Sequence, residues 1–356
     1  MDSICFLAYG GVWIDEISRP DQPPLQGILG GTVIWATLGA RLFAEHNSRS
    51  IALAPRIGSD FPPSAIKMLQ SWGMRLQIHE EGEVPTPRGV VEYRDPHDAS
   101  KRSYRRVTEP LHLDPSHVAD TDLLSASTVH FFDTPSAVQS QVQRLVINRT
   151  DYLAKHADSK TSTRPFIVWE PQAKSCSLDT LDAHLETARI VDVFSPNHAE
   201  LGLLFGDDHV DEHDKTKIEC YASKFLQSGV GPSGGGCVVI RAASQGCLVF
   251  SREQNPVWLP AYHKIDRVID PTGAGNTFLG GLAIGWIQSK SYIKAAAFGT
   301  VAASFAIEQV GLPTRRGLDG EETWNDEKVF ERLDSYFRTA HLSTNEGAVS
   351  VNKLQR

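Results

Sequence analysis

Short apolar runs alternate with amphipathic stretches along most of the chain. The runs have strand length and are rich in β-branched and aromatic residues; they read ICFLAYG, SIALAPRIG, TVHFFD, FIVWEP, IVDVFSP and CVVIRAA. Helical spacing marks stretches between them, such as IWATLGARLFAEH, PSAIKMLQSWG and LDTLDAHLETA. This alternation predicts a three-layer α/β fold, with a mainly parallel central sheet and helices on both faces. In such folds, ligands bind beyond the carboxyl ends of the strands.

Two segments interrupt the alternation. Residues 16–30 carry three prolines before LQGILGG, and residues 83–107 contain two short alternating runs around a polar tip. Together they predict a small β lid over the strand ends. We assign residues 1–338 to one domain that includes the lid, and we expect the tail of residues 339–356 to be disordered. Exposed lid strands could pair between two subunits, so a homodimer through the lid is an open alternative.

Composition narrows the class of protein. Of 356 residues, 41% are hydrophobic and 22% are charged, which is typical of a globular protein with a sizeable core. A formal net charge of -8 and an isoelectric point near 5.9 argue against a nucleic-acid-binding or anionic-membrane-binding surface. No apolar stretch approaches the length of a membrane span. Five scattered cysteines without a CxxC pair indicate a reducing compartment, and we predict a cytoplasmic protein.

The stretch RVIDPTGAGNTFLGGLAIGWIQ carries the first candidate chemistry. Val268 and Ile269 predict a short strand, GAG predicts a tight turn, and the apolar spacing that follows predicts a helix. The first amides of a helix have no partners within it, and the helix dipole makes that end positive. The turn can therefore hold a phosphate or a developing oxyanion. On its own a GxG turn is weak evidence for function, because most such turns only redirect the chain.

Several blocks in the same order strengthen the hypothesis. DPTGAGNTF resembles the late signature of the PfkB (ribokinase-like) family of carbohydrate and nucleoside kinases, which reads close to DTTGAGD followed by an aromatic residue. Over roughly residues 4–315, further blocks resemble those of the family: YGGVWID, GILGGTVIWATLGARL, APRIGSDFP, VDVFSPNHAELGLLFG and VVIRAASQGCLVF. The resemblance implies ATP with Mg²⁺ as the donor, a hydroxyl of a small sugar or nucleoside as the acceptor, and a β lid.

The resemblance also implies roles for individual residues. The catalytic set would be Gly273, Ala274, Gly275 and Asn276, whose amides would neutralise the transferring phosphoryl group. Asp15, with Gly30 and Gly31, would bind substrate hydroxyls. The nucleotide would contact Asn197, Arg241, Gly246, Asp270 and Thr272, and Glu200 would hold the water shell of Mg²⁺. Structural alternatives stay open: Asp15 can cap a turn, and Asn-x-x-Glu at a helix start is a capping pattern.

Four positions depart from the family pattern. Gly11 and Trp35 stand where the family usually has asparagine, and Ala243 stands where it usually has glycine. Asn276 is the largest departure, because an amide cannot accept the proton of the attacking hydroxyl. Two interpretations follow: a slow or differently assisted kinase, or a pseudokinase that binds ligands or acts as a scaffold. DPTGAGN also resembles a fungal subgroup that includes a protein linked to maintaining a double-stranded RNA virus, which keeps a scaffold role open.

Two further patterns have less support. His209 to His213 fits HxxEH, in which two histidines bind zinc and the glutamate acts as a base. The surrounding GDDHVDEHDK has almost no apolar face, so a solvated loop or helix start is the more typical interpretation. A basic cluster of Lys101, Arg102, Arg105 and Arg106 could contact phosphate or RNA, but an exposed hairpin tip is more typical.

Overall fold

The computed structural model describes residues 3–94, 102–111, 115–156, 161–318 and 321–342. The strands are β1 (Phe6–Gly11), β2 (Trp13–Ser18), β3 (Leu25–Gly30), β4 (Ile51–Gly58), β5 (Arg75–Leu76), β6 (His79–Glu81), β7 (Arg88–Tyr93), β8 (Arg102–Arg106), β9 (Thr128–Asp133), β10 (Phe166–Pro171), β11 (Val193–Phe194), β12 (Cys237–Arg241), β13 (Cys247–Ser251), β14 (Gln254–Leu259), β15 (Arg315–Arg316) and β16 (Thr323–Trp324). The helices are α1 (Thr32–Arg41), α2 (Pro63–Ser71), α3 (Pro135–Lys155), α4 (Leu181–Ala188), α5 (His198–Leu204), α6 (Lys215–Ser228), α7 (Ala274–Ser289), α8 (Tyr292–Ala306) and α9 (Val329–Thr339). Within the described ranges, none of these helices combines the length and the apolarity needed to cross a membrane.

Among the described residues, ten strands form the central sheet. Their order is β14-β13-β12-β11-β10-β9-β1-β4-β5, and β6 also pairs with β4. All pairs from β12 to β5 are parallel, whereas β13 and β14 pair antiparallel at one edge. The predicted mainly parallel sheet is confirmed.

Apolar cores lie on both faces of this sheet. Along β1, Phe6 and Ala8 pack into one core with α1, α7 and α8, while Leu7 and Tyr9 pack into the other with α3 and α6. Because both faces are buried, the strands read as continuous apolar runs rather than as alternating ones. The three-layer arrangement predicted from the sequence is therefore confirmed.

Small residues let α7 pack closely against its neighbours. A Cβ on Gly281 would lie 2.7 Å from the Cβ of Ala302 in α8, and one on Gly39 of α1 would lie 1.9 Å from the Thr277 carbonyl oxygen. Glycine allows this close approach because it has no Cβ. The packing fixes α7, and with it the glycine turn at its start, against α1 and α8.

The lid is a separate sheet of four strands in the order β3-β2-β7-β8. It contains the two segments predicted to form it, but begins at Trp13, before the predicted boundary at residue 16. Asp15 therefore lies on a lid strand. The homodimer stays a prediction; β3 and β8 are the edges through which it would pair. Residues 95–101 of the lid tip, including Lys101, lie outside the described residues.

The prediction of a strand before the glycine turn is wrong. Val268 and Ile269 follow a 3-10 turn at Ile265–Arg267 and lie in irregular chain. The Ile269 amide donates to the Ile307 carbonyl oxygen at 2.8 Å, so this segment is held by the end of α8 and not by a neighbouring strand. At the end of the chain, α9 stops at Thr339, and residues 343–356 of the predicted disordered tail lie outside the described residues.

Candidate active site

The glycine turn opens α7. Gly273 is the N-cap residue with φ 78°, and a Cβ there would lie 2.1 Å from the indole of Trp35. Glycine tolerates both the left-handed backbone and the close contact, because it has no Cβ. The Ala274 amide donates a hydrogen bond to the Pro271 carbonyl oxygen at 3.3 Å, so in this arrangement it is not available to the predicted anion site. The amides of Gly273, Gly275 and Asn276 remain to face an anion.

Asp270 and Thr272 shape the turn and connect it to the lid. Asp270 is 1% exposed, and its Oδ1 accepts hydrogen bonds from the Thr272 amide at 2.8 Å and the Tyr93 hydroxyl at 2.5 Å. Tyr93 ends lid strand β7. Arg19, just after β2, donates to the Ile269 carbonyl oxygen at 3.1 Å. Two lid residues thus hold the turn, while nucleotide contacts by Asp270 and Thr272 stay a prediction.

Tyr93→Phe is expected to loosen the lid from the turn. Removing a hydroxyl that donates to a buried carboxylate should lower the free energy of unfolding by about 1–3 kcal/mol, measured by urea denaturation. Tyr336→Phe provides the comparison, because its hydroxyl donates to the neutral Pro260 carbonyl oxygen at 2.6 Å. It should cost less, about 0.5–1.5 kcal/mol. Equal losses in the two variants would contradict a lid held by Asp270.

Asn276 contacts a carboxylate that the sequence did not single out. Its Nδ2 donates to Glu170 Oε2 at 2.5 Å, and Glu170 is 4% exposed at the carboxyl end of β10. Burial raises the pKa of Glu170, but the Arg241 guanidinium, with smaller contributions from His130 and Asn276, brings the net pKa below its usual value. An ionised carboxylate therefore lies beside the position where the family has its base.

Arg241 bridges two buried carboxylates. Its Nη1 lies 2.9 Å from Glu170 Oε1, and its Nη2 lies 3.4 Å from Glu200 Oε2. Nη2 also donates to the Ser195 carbonyl oxygen at 3.1 Å. A Cβ on Gly275 would lie 1.9 Å from Nη1, so the guanidinium lies against the glycine turn. Glu170, Glu200 and Arg241 are called the charge cluster below.

Glu200 and Asn197 form the capping box that the sequence left open as an alternative. Asn197 Oδ1 accepts from the Glu200 amide and Glu200 Oε2 accepts from the Asn197 amide, both at 2.8 Å. Burial raises the pKa of Glu200 to about 7, an effect that Arg241 opposes. In this arrangement Asn276 and Arg241 engage the two oxygens of Glu170, and the cap and Arg241 share Oε2 of Glu200, so a Mg²⁺ ion between the two carboxylates would have to displace the guanidinium. Across the described ranges, no three acidic, histidine or cysteine side chains converge on a possible metal position.

Asp15 is a buried carboxylate under the lid. It is 7% exposed, and its Oδ1 accepts a hydrogen bond from the Tyr104 hydroxyl of β8 at 3.4 Å. A Cβ on Gly30 would lie 2.4 Å from Asp15 Oδ2, so Gly30 makes room for the carboxylate. Gly31, with φ 100°, caps α1. Burial raises the pKa of Asp15 to about 6, opposed by the Tyr104 bond. Hydroxyl donors from a ligand would stabilise the charged form.

Two departures from the family pattern have steric causes. A Cβ on Gly11 would lie 2.4 Å from the Leu111 carbonyl oxygen, so an asparagine does not fit there. Trp35 is 3% exposed, belongs to the core and packs on Gly273. Its indole therefore fills space beside the turn where the family has a polar side chain. The local sequence identifies Trp35 as a departure, but its packing partner is set by the fold.

A cavity of about 100 Å³ lies between the lid and the carboxyl ends of β1 and β9. Trp13 and Arg106 line it from the lid, and His130, Asp133 and Gln172 line it from the sheet. His130 Nε2 lies 3.5 Å from Glu170 Oε2, which links this cavity to the charge cluster. A larger depression of about 420 Å³ lies at the β13–β14 turn, near the opposite edge of the sheet, and contains none of the predicted site residues.

The predicted nucleotide loop follows β12. Gly246 has φ 82°, and a Cβ there would lie 2.0 Å from the Leu259 carbonyl oxygen, so glycine is required at this position. Ala243 has φ 42°, a left-handed conformation that is unfavourable for a residue with a Cβ. Alanine in place of the family's usual glycine at residue 243 therefore lowers the stability of the fold.

Ala243→Gly is expected to raise the free energy of unfolding by about 0.5–1 kcal/mol, because it relieves the left-handed strain but adds chain entropy to the unfolded state. Thermal and urea denaturation measure this change. A variant less stable than the natural protein would contradict the strained conformation at residue 243.

The zinc interpretation of HxxEH finds no structural basis. The side chains of His209 and His213 are 90% and 64% exposed, and each lies near a single aspartate. The solvated segment predicted as the more typical interpretation is what the structure contains. In the basic cluster, Arg105 and Arg106 are exposed, and the Arg106 guanidinium lies 5.6 Å from the centre of the Trp13 ring.

These features define a class of protein: a three-layer α/β fold with a β lid, a glycine turn at the start of a helix and a buried aspartate under the lid. Residues 44–315 match the pfkB family of carbohydrate kinases, and the chain belongs to that family. The ribokinase-like fold predicted from the resemblance is confirmed.

Relatives match along most of the chain. Identity is 30% over 348 residues with a Schizosaccharomyces pombe protein described as uncharacterised, and 27% over 347 residues with Protein MAK32 of Saccharomyces cerevisiae. Each match covers 93% of this chain and 92% of the relative. A ribokinase-type protein of Escherichia coli, solved with ATP and Mg²⁺, superposes with a TM-score of 0.64 at 18% identity. It covers 94% of this chain and 99% of that one, and at this identity the likeness shows the fold alone.

Proposed function

We propose that the protein is an ATP-dependent phosphotransferase that acts on a hydroxyl of a small sugar or nucleoside-like molecule. The observation that carries the proposal is the glycine turn, where the first amides of α7 and the Arg241 guanidinium lie together. A helix N-terminus beside an arginine suits a phosphate group. Membership of the pfkB family supports carbohydrate phosphorylation, and the Escherichia coli relative solved with ATP supports the donor.

Asp15 would hold the acceptor. An ionised carboxylate can accept hydrogen bonds from two neighbouring hydroxyls, and this fixes the orientation of the molecule that carries them. Asp15 lies on the lid sheet, and the same sheet is bonded to the turn through Tyr93 and Asp270. Closing the lid over a substrate would therefore place its hydroxyls near the phosphate position and exclude water.

In the transfer, a bond forms between the acceptor oxygen and the γ-phosphorus as the bond from that phosphorus to the bridging oxygen breaks, and ADP leaves. Negative charge spreads over the equatorial oxygens, and the amides of Gly273, Gly275 and Asn276, with Arg241, would stabilise it. With no carboxylate at residue 276, the proton of the attacking hydroxyl would pass to water or to an oxygen of the transferred phosphoryl group. A loose transition state allows transfer without a positioned base, but the lack of one typically costs about 10²- to 10⁴-fold, so a slow kinase is the expected activity.

One observation favours the alternative of a ligand-binding pseudokinase. One N–H of the Asn276 side-chain amide is committed to Glu170, and the side chain has no group that can take a proton from a ligand hydroxyl. Such a site can bind a nucleotide and a polyol without joining them.

Transfer of the γ-phosphoryl group of labelled ATP to pooled sugars, polyols and nucleosides tests the proposal. We expect slow formation of a labelled product in one pool, abolished by Asp15→Asn. If ATP and a polyol both bind and no labelled product forms, the pseudokinase is the correct interpretation. If neither binds, both interpretations fail.

A further inference from the structure

The charge cluster has the arrangement of an acidic cation site that already holds its cation. Glu170 lies at the carboxyl end of a sheet strand and Glu200 lies in the first turn of α5, and both side chains are under a tenth exposed. Between them lies the Arg241 guanidinium, with one nitrogen directed to each carboxylate. A guanidinium stays charged at every pH a protein experiences, so this positive charge is permanent.

The backbone of Arg241 is fixed as well as its side chain. Arg241 ends β12, forms a parallel bridge with Asn197, and its amide donates to the Pro196 carbonyl oxygen at 3.2 Å. The side chain is 13% exposed. Rigid placement on a strand end gives a charged group a defined direction, as a binding site requires.

Arg241 also faces the predicted phosphate position. Its Nη1 lies so near Gly275 that a methyl group on that residue would overlap it. Its Nε has no hydrogen-bond partner among the described residues. A phosphate held at the first amides of α7 would lie beside a guanidinium whose buried Nε donor is unused in this arrangement.

We propose that Arg241 is the resident cation of this site and holds nucleotide phosphates at the glycine turn without a divalent metal. This inference rests on the proposed function, because it concerns the same phosphate site. It departs from the magnesium role that the family resemblance implies for Glu200. Glu170 and Glu200 then serve as positioning residues that orient the guanidinium.

Calorimetric titration of ATP into the natural protein, once with EDTA and once with excess Mg²⁺, tests the proposal without any mutation. We expect dissociation constants that agree within about threefold. Arg241→Gln removes the charge, and with EDTA it should weaken ATP binding by about 10- to 100-fold. Arg164→Gln is the matched control, because Arg164 also pairs with a partly buried carboxylate, that of Asp192 at 2.7 Å, before the start of β10. It should leave ATP binding unchanged.

Binding of Mn²⁺ without nucleotide, followed by electron paramagnetic resonance, gives a second readout. The natural protein should not bind Mn²⁺ at this site, whereas Arg241→Gln, if circular dichroism shows it to be folded, should bind it through the two freed carboxylates.

The outcomes separate this inference from the proposed function. If ATP binds the natural protein only with Mg²⁺, Arg241 does not replace the metal, and the inference is overturned while the proposed function stands. If ATP binds under neither condition, both are overturned. Equal affinity with and without Mg²⁺, together with the loss in Arg241→Gln, supports the inference.

Discussion

Asn276→Asp, made alone, is expected to leave phosphoryl transfer near the natural rate and to lower the free energy of unfolding by about 1–3 kcal/mol. The amide nitrogen of Asn276 donates to Glu170 Oε2 at 2.5 Å. An aspartate there replaces a donor with an acceptor and sets two carboxylates against each other. Two carboxylates this close cannot both ionise, so the new group would carry a shared proton and serve poorly as a base.

The double variant Asn276→Asp with Glu170→Gln is expected to recover the stability lost in Asn276→Asp and to transfer the phosphoryl group faster than the natural protein. The introduced glutamine can donate its Nε2 to the new aspartate and still accept from Arg241 through Oε1, so the contacts of residue 170 with residue 276 and with Arg241 each have a counterpart. The aspartate is then free to ionise and to accept the hydroxyl proton. A positioned base contributes typically 10²- to 10⁴-fold, and we expect a gain of about that size over the natural rate.

A second asparagine–glutamate pair supplies the control. Asn325 Nδ2 donates to Glu308 Oε2 at 2.8 Å, on the carboxyl-terminal segment outside the site. Asn325→Asp should lower stability in the same direction as Asn276→Asp and leave ATP binding unchanged. A single Asn276→Asp variant that is both fully stable and as fast as the double variant would contradict the contact between Asn276 and Glu170.

Asp15→Asn is expected to make the protein more stable and less active. Without its charge, residue 15 no longer accepts two strong hydrogen bonds from substrate hydroxyls, and kcat/KM should fall by about 10²-fold or more. Burial raises the pKa of Asp15 from 3.8 to about 6, and this corresponds to roughly 3 kcal/mol of disfavoured charge at most. Opposite changes in activity and stability are typical of a residue kept for binding.

The pH dependence of this effect has a defined sign. Since the folded pKa of Asp15 is raised, its protonation stabilises the fold fully below the unfolded pKa near 3.8, and this contribution is lost as pH rises through about 6. Asparagine does not titrate. The stability gain of Asp15→Asn should therefore be near zero below pH 4 and largest above pH 7, as measured by urea denaturation across that range.

Asp60→Asn should lower the free energy of unfolding, which is the opposite of the change expected for Asp15→Asn. The hydrogen bond from the Thr86 amide, with further help from Arg88, lowers the pKa of Asp60 to about 2. Its charge therefore stabilises the fold above the unfolded pKa, and that contribution is lost as pH falls through about 2.

If the stability gain of Asp15→Asn did not change with pH, this result would contradict a buried carboxylate with a raised pKa at residue 15.

The fold could be predicted from the sequence largely because buried parallel strands are recognisable in it as short apolar runs. FIVWEP and CVVIRAA are continuous apolar runs, since both faces of the sheet are covered by helices. The apolar pattern was misleading at Val268 and Ile269, where two β-branched residues lie in irregular chain bonded to Ile307. It also placed the start of the lid too late, because the break between β1 and β2 falls at Val12, inside a run that is apolar on both sides.

Only part of the candidate site could be predicted from the sequence. Local patterns identified the glycine turn and the Asn197–Glu200 cap, because each is defined by neighbours in the chain, and the family resemblance pointed to Asp15. Glu170 lies 106 residues from Asn276, and no local pattern joins them. Its only signal was an acidic residue at the carboxyl end of a predicted parallel strand, where ligands bind in such folds. The lid residues Tyr93 and Tyr104 had no such signal, because their partners depend on how the lid closes.

The measurement that most directly tests the account is an amide spectrum of the glycine turn during titration with ATP. Ala-Gly occurs once in the sequence, at Ala274–Gly275, so protein labelled with [1-¹³C]alanine and [¹⁵N]glycine isolates the Gly275 amide. Thr-Gly also occurs once, at Thr272–Gly273, and labelled threonine isolates the Gly273 amide in the same way. We expect both amide signals to shift and to saturate with ATP, while most other glycine signals stay in place. Signals from Gly273 and Gly275 that stay unmoved at saturating ATP would contradict a phosphate site at the start of α7.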